Sequence, residues 1–205
     1  MNAPATHPES EEERRWLLAA RAGDLEAFER LIAVYTRPIY NLAYRMLGDP
    51  QEAEDATQEI FLRIYRGLAT YDPQRPPASW ILSIAAHYCI DQLRARRPSV
   101  PLEDLESKIV VPSRDHPESV VERRDQEEQI QQALLRLSHE DRMVLVLYYW
   151  HERSCEEIAS ILGVSREAVR VRLHRARLRL AEHLYPLVHA GDPPSAAPSP
   201  ARRRS

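Results

Sequence analysis

Cysteine is nearly absent from this chain. Cys89 and Cys155 are the only two in 205 residues, too few for a disulfide scaffold and without the paired spacing of a zinc site. Glycine is almost as scarce, at 5 residues, which argues against a β-rich fold needing many tight turns. No stretch approaches the ~18 uninterrupted apolar residues of a membrane span. The opening MNAPATHPESEEERRW has no apolar h-region of a secretory signal. The expectation is a cytoplasmic protein with no direct membrane insertion. Also missing are a Gly-rich phosphate loop, a Ser-His-Asp or Cys-His arrangement in plausible context, and metal-ligand spacing. That predicts no enzyme, no catalytic residue, no cofactor, no metal and no small-molecule substrate. Even net charge is nearly missing: 28 Lys+Arg against 31 Asp+Glu leave -3, which at first sight speaks against a nucleic-acid partner.

What is present is helix. The hydrophobic content of 43% suffices for a packed core. Phe28, Leu31, Ile32 and Tyr35 follow the i, i+3, i+4, i+7 pattern, as do Ile130, Ala133, Leu134 and Leu137. The 16 prolines are clustered, and the stretches 78–97 and 118–185 contain none. Proline breaks helix interiors, so the clusters mark linkers. The chain divides into a disordered tail at 1–14, a helical domain at 15–97, a linker at 98–120, a second helical domain at 121–185 and a disordered tail at 186–205. The predicted fold is all-α, in two small domains joined by a flexible linker. Cys89 and Cys155 fall in helices and read as small buried hydrophobes.

Local signals place the helix ends. Gly48 reads as a helix stop, and Asp49-Pro50-Gln51-Glu52 as an N-cap, a proline at N1 and a Glu at N3. Ala53, Ala56, Ile60 and Ile64 line one side of the helix that follows. Another helix is expected from about Ser79 to Arg97. Ser138 with Asp141 resembles a cap, and Tyr148, Tyr149 and Trp150 read as core and interface packing.

The most informative stretch is 153–184. Ser154 and Glu157 form a capping-box pattern that opens a helix, Gly163 ends it, and Ser165 caps a second helix. Two short helices joined by a Gly-containing turn are the helix-turn-helix signature. The second helix is basic: residues 166–179 hold six Arg and one Glu. A solvated amphipathic helix would intersperse Glu for i, i+4 pairs, and Glu167 stands alone. Arginines so placed neutralise phosphates and reach guanine edges in the major groove. By contrast, residues 49–59 carry five acids and no base, and 103–128 carry nine acids and four bases. An acidic, partly apolar helix suits a basic protein partner rather than DNA.

These runs carry a family resemblance. Arg142-Met143-Val144-Leu145-Val146-Leu147-Tyr148-Tyr149, then Glu157 to Ser165, then Val169 to Leu180, resemble the domain that reads the −35 promoter element in bacterial RNA polymerase sigma factors. Residues 52–63, Glu-Ala-Glu-Asp-Ala-Thr-Gln-Glu-Ile-Phe-Leu-Arg, resemble the core-polymerase-binding helix of the extracytoplasmic-function (ECF) type. Residues 79–97 resemble that family's −10 element helix, with Trp80, Ile84, Ala85, Asp91, Arg94 and Arg97 matching. Two departures stand out: His87 replaces the usual Asn and Pro77 the usual aromatic. The absence of a domain between the halves is what separates the ECF type from larger sigma factors.

The resemblance implies an alternative sigma factor that binds core RNA polymerase through its β′ clamp helices and β flap, directs it to promoter DNA and helps melt the −10 element. It also implies an anti-sigma partner. Polymerase-binding residues would be Glu54, Asp55, Gln58, Glu59, Phe61 and Leu62. The −10 strand would meet Tyr71, Asp72, Ser79, Trp80, His87, Arg94, Arg96 and Arg97. The −35 duplex would meet Ser165, Arg166, Arg170, Val171, His174, Arg175 and Arg177. The competing reading is a helix-turn-helix regulator acting without polymerase docking, which leaves 49–63 and 79–97 without a role.

Overall fold

The computed structural model describes residues 8–96 and 118–188. Every regular element among them is helical. Helix α1 spans Pro8–Arg21, α2 Leu25–Leu47, α3 Pro50–Gly67 and α4 Pro77–Ala95, with a 3₁₀ turn at Leu68–Thr70. Helix α5 spans Glu118–Leu135, α6 His139–Tyr149, α7 Cys155–Leu162 and α8 Arg166–Val188.

The expected caps are in place. Asp49 accepts from the Glu52 amide at 2.9 Å ahead of Pro50, and Gly48 closes α2 at φ 87. Ser138 caps α6, and the Ser154–Glu157 box at the head of α7 is complete in both directions. Gly163 takes the left-handed turn at φ 65, where a Cβ would be strained. Ser165 Oγ accepts from the Ala168 amide at 3.1 Å and starts α8.

Several helix bounds differ from expectation: α5 begins at Glu118, inside the expected linker, α8 runs on to Val188, inside the expected tail, and three further differences involve proline. Helix α1 begins at Pro8, inside the stretch expected to be a disordered tail, since a proline is pre-set for the first helical position. Helix α4 begins at Pro77 rather than Ser79 for the same reason. Helix α2 runs through Pro38. Its Ile39, Leu42 and Ala43 are fully buried, and this burial outweighs the one lost backbone hydrogen bond. The 98–117 part of the expected linker and the 189–205 part of the expected tail lie outside the described residues.

In the N-terminal half α2 packs on α1, α3 and α4; in the C-terminal half α8 packs on α5, α6 and α7. The halves are not separate bodies here. Helix α4 lies against α7, α2 lies against α5 and α6, and one hydrophobic cluster runs through both halves, from Leu17 and Ile39 to Val169 and Ala176. Helix α4 buries 12 of its 19 residues, far more than the single stripe of a helix resting on one surface.

Candidate functional site

Helix α8 offers a basic face whose usable part is its first turns. Val169, Leu173 and Ala176 are buried and hold the helix against its neighbours. Arg170, Val171 and His174 point outward on the opposite side, and Val171 is 64% exposed. Arg170 makes no hydrogen bond or ion pair among the described residues, while Arg166 pairs with Glu156 at 2.7 Å. The N-terminal turns of a second helix-turn-helix helix are the part that reaches base edges.

The later arginines are engaged elsewhere. Arg175 grips fully buried Asp141 through two hydrogen bonds, at 2.6 and 3.1 Å, and Arg179 adds a third at 3.1 Å. That carboxylate raises the Arg175 pKa above its ordinary value. Arg177 donates to the Tyr149 hydroxyl at 2.9 Å and lies 4.9 Å from the Tyr148 ring centroid. Arg175 and Arg177, expected as DNA contacts, therefore brace α8 on α6 in this structure. Asp141 and the tyrosines are neighbours only after folding.

Helix α3 presents a different surface. Ala53, Ala56, Ile60 and Ile64 are buried as expected. Glu54, Asp55, Gln58 and Leu62 share the opposite face, with Leu62 50% exposed. Phe61 lies at its edge, packed on the core. Glu59 is half-buried and paired with Arg63 at 3.0 Å. Tyr65, which the motif did not single out, extends this face at 47% exposure and packs edge-on against Phe28 at 5.1 Å. Its helical spacing from Leu62 and Gln58 was the available signal.

The third set centres on α4 and the loop before it. Tyr71 and Trp80 are 2% and 6% exposed, their rings 5.2 Å apart, and Ser79 is also buried. These three, expected to meet an extruded base, lie in the core here, because the aromatic pair fills the space under α4. The Tyr71 hydroxyl donates to the Arg75 carbonyl at 3.0 Å. Asp72 is exposed and accepts from the Gln74 amide at 2.9 Å. His87 is exposed, and its Nδ1 sits 2.6 Å from the Ser83 carbonyl. A carbonyl only accepts, so Nδ1 carries the hydrogen in this contact. Arg96 pairs with Glu52 at 2.8 Å, and Arg94 pairs with Glu140 of α6 at 3.1 Å. Arg97 lies outside the described residues.

Two buried polar groups join the halves, and the sequence reading missed both. Arg142 donates to the Leu134, Leu135 and Leu137 carbonyls and to the Met46 carbonyl of α2. Burial pushes its guanidinium down to about 10, still charged at neutral pH. Gln131 donates to the Tyr44 carbonyl at 3.0 Å and accepts from Arg45 at 3.1 Å. An arginine followed by an apolar run was a visible signal for Arg142; nothing local marked Gln131.

Of the two cysteines, Cys89 is buried, and burial pushes its thiol up to about 12, leaving it unreactive. Cys155 is partly exposed. No group of residues that could hold a metal ion occurs among the described residues. None of the described helices is long and apolar enough to cross a membrane.

The sigma-70 region 2 family model matches residues 31–98, and the sigma-70 region 4 model matches 127–180. The chain is 35% identical over 173 residues to the ECF RNA polymerase sigma factor SigW of Bacillus subtilis, covering 80% of this chain and 92% of that protein. It is 34% identical over 171 residues to the ECF RNA polymerase sigma factor SigM of Mycobacterium tuberculosis, covering 82% and 83%. Among solved structures it is similar to CnrH in complex with the cytosolic domain of CnrY, at TM-score 0.64 and 25% identity over 88% of this chain and 99% of that one. It shares its fold with RpoE of Bartonella quintana, solved with the anti-sigma factor NepR, at TM-score 0.59 and 20% identity over 77% and 96%.

Proposed function

The chain belongs to the ECF sigma factors of RNA polymerase, and from that premise we propose how its surfaces divide the work of directing the polymerase to promoters. The observation that carries the division is the opposition of two faces: an acidic and apolar one on α3 and a basic one on the first turns of α8.

The α3 face of Glu54, Asp55, Gln58, Leu62 and Tyr65 docks on core polymerase. Its carboxylates repel the DNA backbone and complement a basic partner, while Leu62 and Tyr65 supply apolar contact. Arg166, Arg170, Val171 and His174 enter the major groove at the −35 element. Arg170 supplies the bidentate donor for a guanine edge and Val171 an apolar contact for a thymine methyl. Ser165 holds the helix start in register. Helix α4, with Asp72, His87, Arg94 and Arg96, takes the −10 strand once Tyr71 and Trp80 are uncovered. Unstacking a base costs a few kcal/mol, offset by stacking and hydrogen bonds in the receiving pocket. Residues 15–97 and 121–185 form the two working units, joined by 98–120, and the tether lets two modest DNA contacts add through effective concentration.

The protein is an initiation factor rather than an enzyme, and it works in the cytoplasm, where its template is. An anti-sigma protein is its further partner, as the complexes of its structural relatives suggest. The test is run-off transcription with core polymerase on a genomic promoter library, alongside co-purification with core enzyme. Promoter-specific transcripts that depend on this chain are expected. Specific duplex binding by the isolated chain, with no binding to core polymerase, overturns the reading.

A further inference from the structure

We propose that the free chain associates with a second copy of itself, α3 of one copy lying along α8 of the other, and that this contact holds the protein in an inactive form. The contact is argued from the two faces alone. The inactivity rests on their assignment to core polymerase and to the −35 duplex.

The first observation is what each face leaves uncovered. On α3, Glu52 pairs with Arg96 and Glu59 with Arg63, whereas Glu54 and Asp55 make no hydrogen bond or ion pair among the described residues. Leu62 and Tyr65 follow on the same face, 50% and 47% exposed. On α8, Arg175 and Arg179 turn to Asp141 and Arg177 turns to Tyr149, while Arg170 has no such partner among the described residues. Leu178 lies two turns beyond Arg170 and is 55% exposed. It is past the turns that reach base edges, so DNA does not account for it. Exposed apolar side chains rimmed by charge mark a protein contact.

The second is the order of the side chains. From its N-terminal end the α3 face runs Glu54, Asp55, Gln58, Leu62, Tyr65, and the α8 face runs Arg170, His174, Leu178, Ala181. Glu54 to Leu62 and Arg170 to Leu178 are the same separation in sequence, about 12 Å of helix. Set side by side and parallel, the helices bring Arg170 level with Glu54 and Asp55, Leu178 level with Leu62, and small Ala181 level with the Tyr65 ring. Glu167, in the first turn of α8, falls level with uncharged Gln51. Base then meets acid at one end and apolar meets apolar at the other. Turned antiparallel, the same faces set Arg170 against Leu62 and Glu54 against Leu178, and the match is lost.

The third is that the occupant must be another molecule. Both faces are exposed in one and the same chain, so neither covers the other. A net charge of only -3 gives little general repulsion between copies. The contact joins unlike surfaces and can repeat from copy to copy. One pair of short helix faces buries far less than the ~1,200 Å² of a lasting interface, so the association is weak, reversible and dependent on concentration. While it stands, neither face is open to polymerase or to a duplex, and core polymerase releases the chain by competing for α3.

The test is sedimentation velocity on the full chain over a wide concentration range. The wild type should gain mass with concentration. The gain should weaken between 0.1 and 1 M salt, as the Debye length falls from about 10 Å to about 3 Å. Glu54→Arg/Asp55→Arg and Arg170→Glu/His174→Glu, all exposed positions, should each leave the chain monomeric. Mixed together, the two variants should associate again, because each α3 now finds an α8 of opposite charge. Leu178→Glu, a single exposed change outside the DNA-reading turns, should also abolish association and covers the case in which a double variant does not fold. A wild type that stays monomeric throughout overturns the self-contact. Association indifferent to all three variants, or a mixture that stays monomeric, overturns the pairing of α3 with α8. Failure of the polymerase assignment shows separately, as core polymerase that binds the chain and leaves its self-association unchanged.

Discussion

Arg170 and Arg175 lie five residues apart on one basic helix, and the structure gives them opposite jobs that a paired substitution separates. Arg170→Ala removes a side chain with no partner among the described residues. Stability should stay within about 0.5 kcal/mol of wild type, as for a surface change that breaks no contact. Binding to a −35 duplex should weaken by about 1–3 kcal/mol, the cost of one lost base contact. Arg175→Ala removes both of that residue's hydrogen bonds to buried Asp141. Hydrogen bonds to charged groups are worth about 1.5–3 kcal/mol. The Arg175 side chain is 48% exposed, which screens the interaction, and Arg179 still partners Asp141. A loss of about 1–2 kcal/mol is expected, near 2–8 °C in Tm for a chain of this size. Thermal denaturation and duplex anisotropy on the two variants are the assays, with binding measured where both are folded. Arg175→Ala losing duplex affinity at full stability, with Arg170→Ala losing stability instead, would refute the assignment of these contacts.

Buried His151, which lies beside Arg153, gives a pH dependence. Burial first, and the Arg153 charge second, lower its pKa to about 4 from an ordinary value near 6.5. It is neutral in the fold, so stability is intact above about pH 6.5 and falls as pH drops toward 4, by roughly 1 kcal/mol at pH 5.5; His151→Phe should flatten that slope in urea denaturation. Charge reversal at Glu54 and Asp55, both exposed, should abolish co-purification with core polymerase with Tm unchanged, and retained binding would remove α3 from the docking surface. Ser154→Ala removes a complete capping box and should cost about 1 kcal/mol in chemical denaturation. Gly163→Ala forces a Cβ into the left-handed turn and should cost about 1–3 kcal/mol, with −35 binding falling as α8 loses its angle to α7.

Much of the working surface was readable from the chain because its rules are short in range. The acidic face of α3 follows from a 3.6-residue period and an Asp-Pro start, and it is where the motif placed it. The helix-turn-helix was legible from Ser154, Glu157, Gly163 and Ser165, four residues acting over three or four positions each. The net charge of -3 hid this map, since five acids at 49–59 and six arginines at 166–179 nearly cancel. The roles of individual side chains were less legible. Tyr71, Ser79 and Trp80 matched a pattern for base capture and are buried in this conformation, because an aromatic that can stack on a base can equally stack on its neighbour.

The sequence by itself determined the all-α class, the caps, the turn between α7 and α8 and the placement of opposite charges on α3 and α8. Each depends on residues within a turn or two of one another. Tertiary structure alone decided which arginines are committed to partners among the described residues, and that α4 of one half packs against α7 of the other. Arg175 meets Asp141 across 34 residues, Arg94 meets Glu140 across 46, Arg75 meets Ser160 across 85 and Arg142 meets Met46 across 96. No local period encodes such pairs; they exist only once burial has brought distant helices together and obliged each polar group on the seam to find a partner.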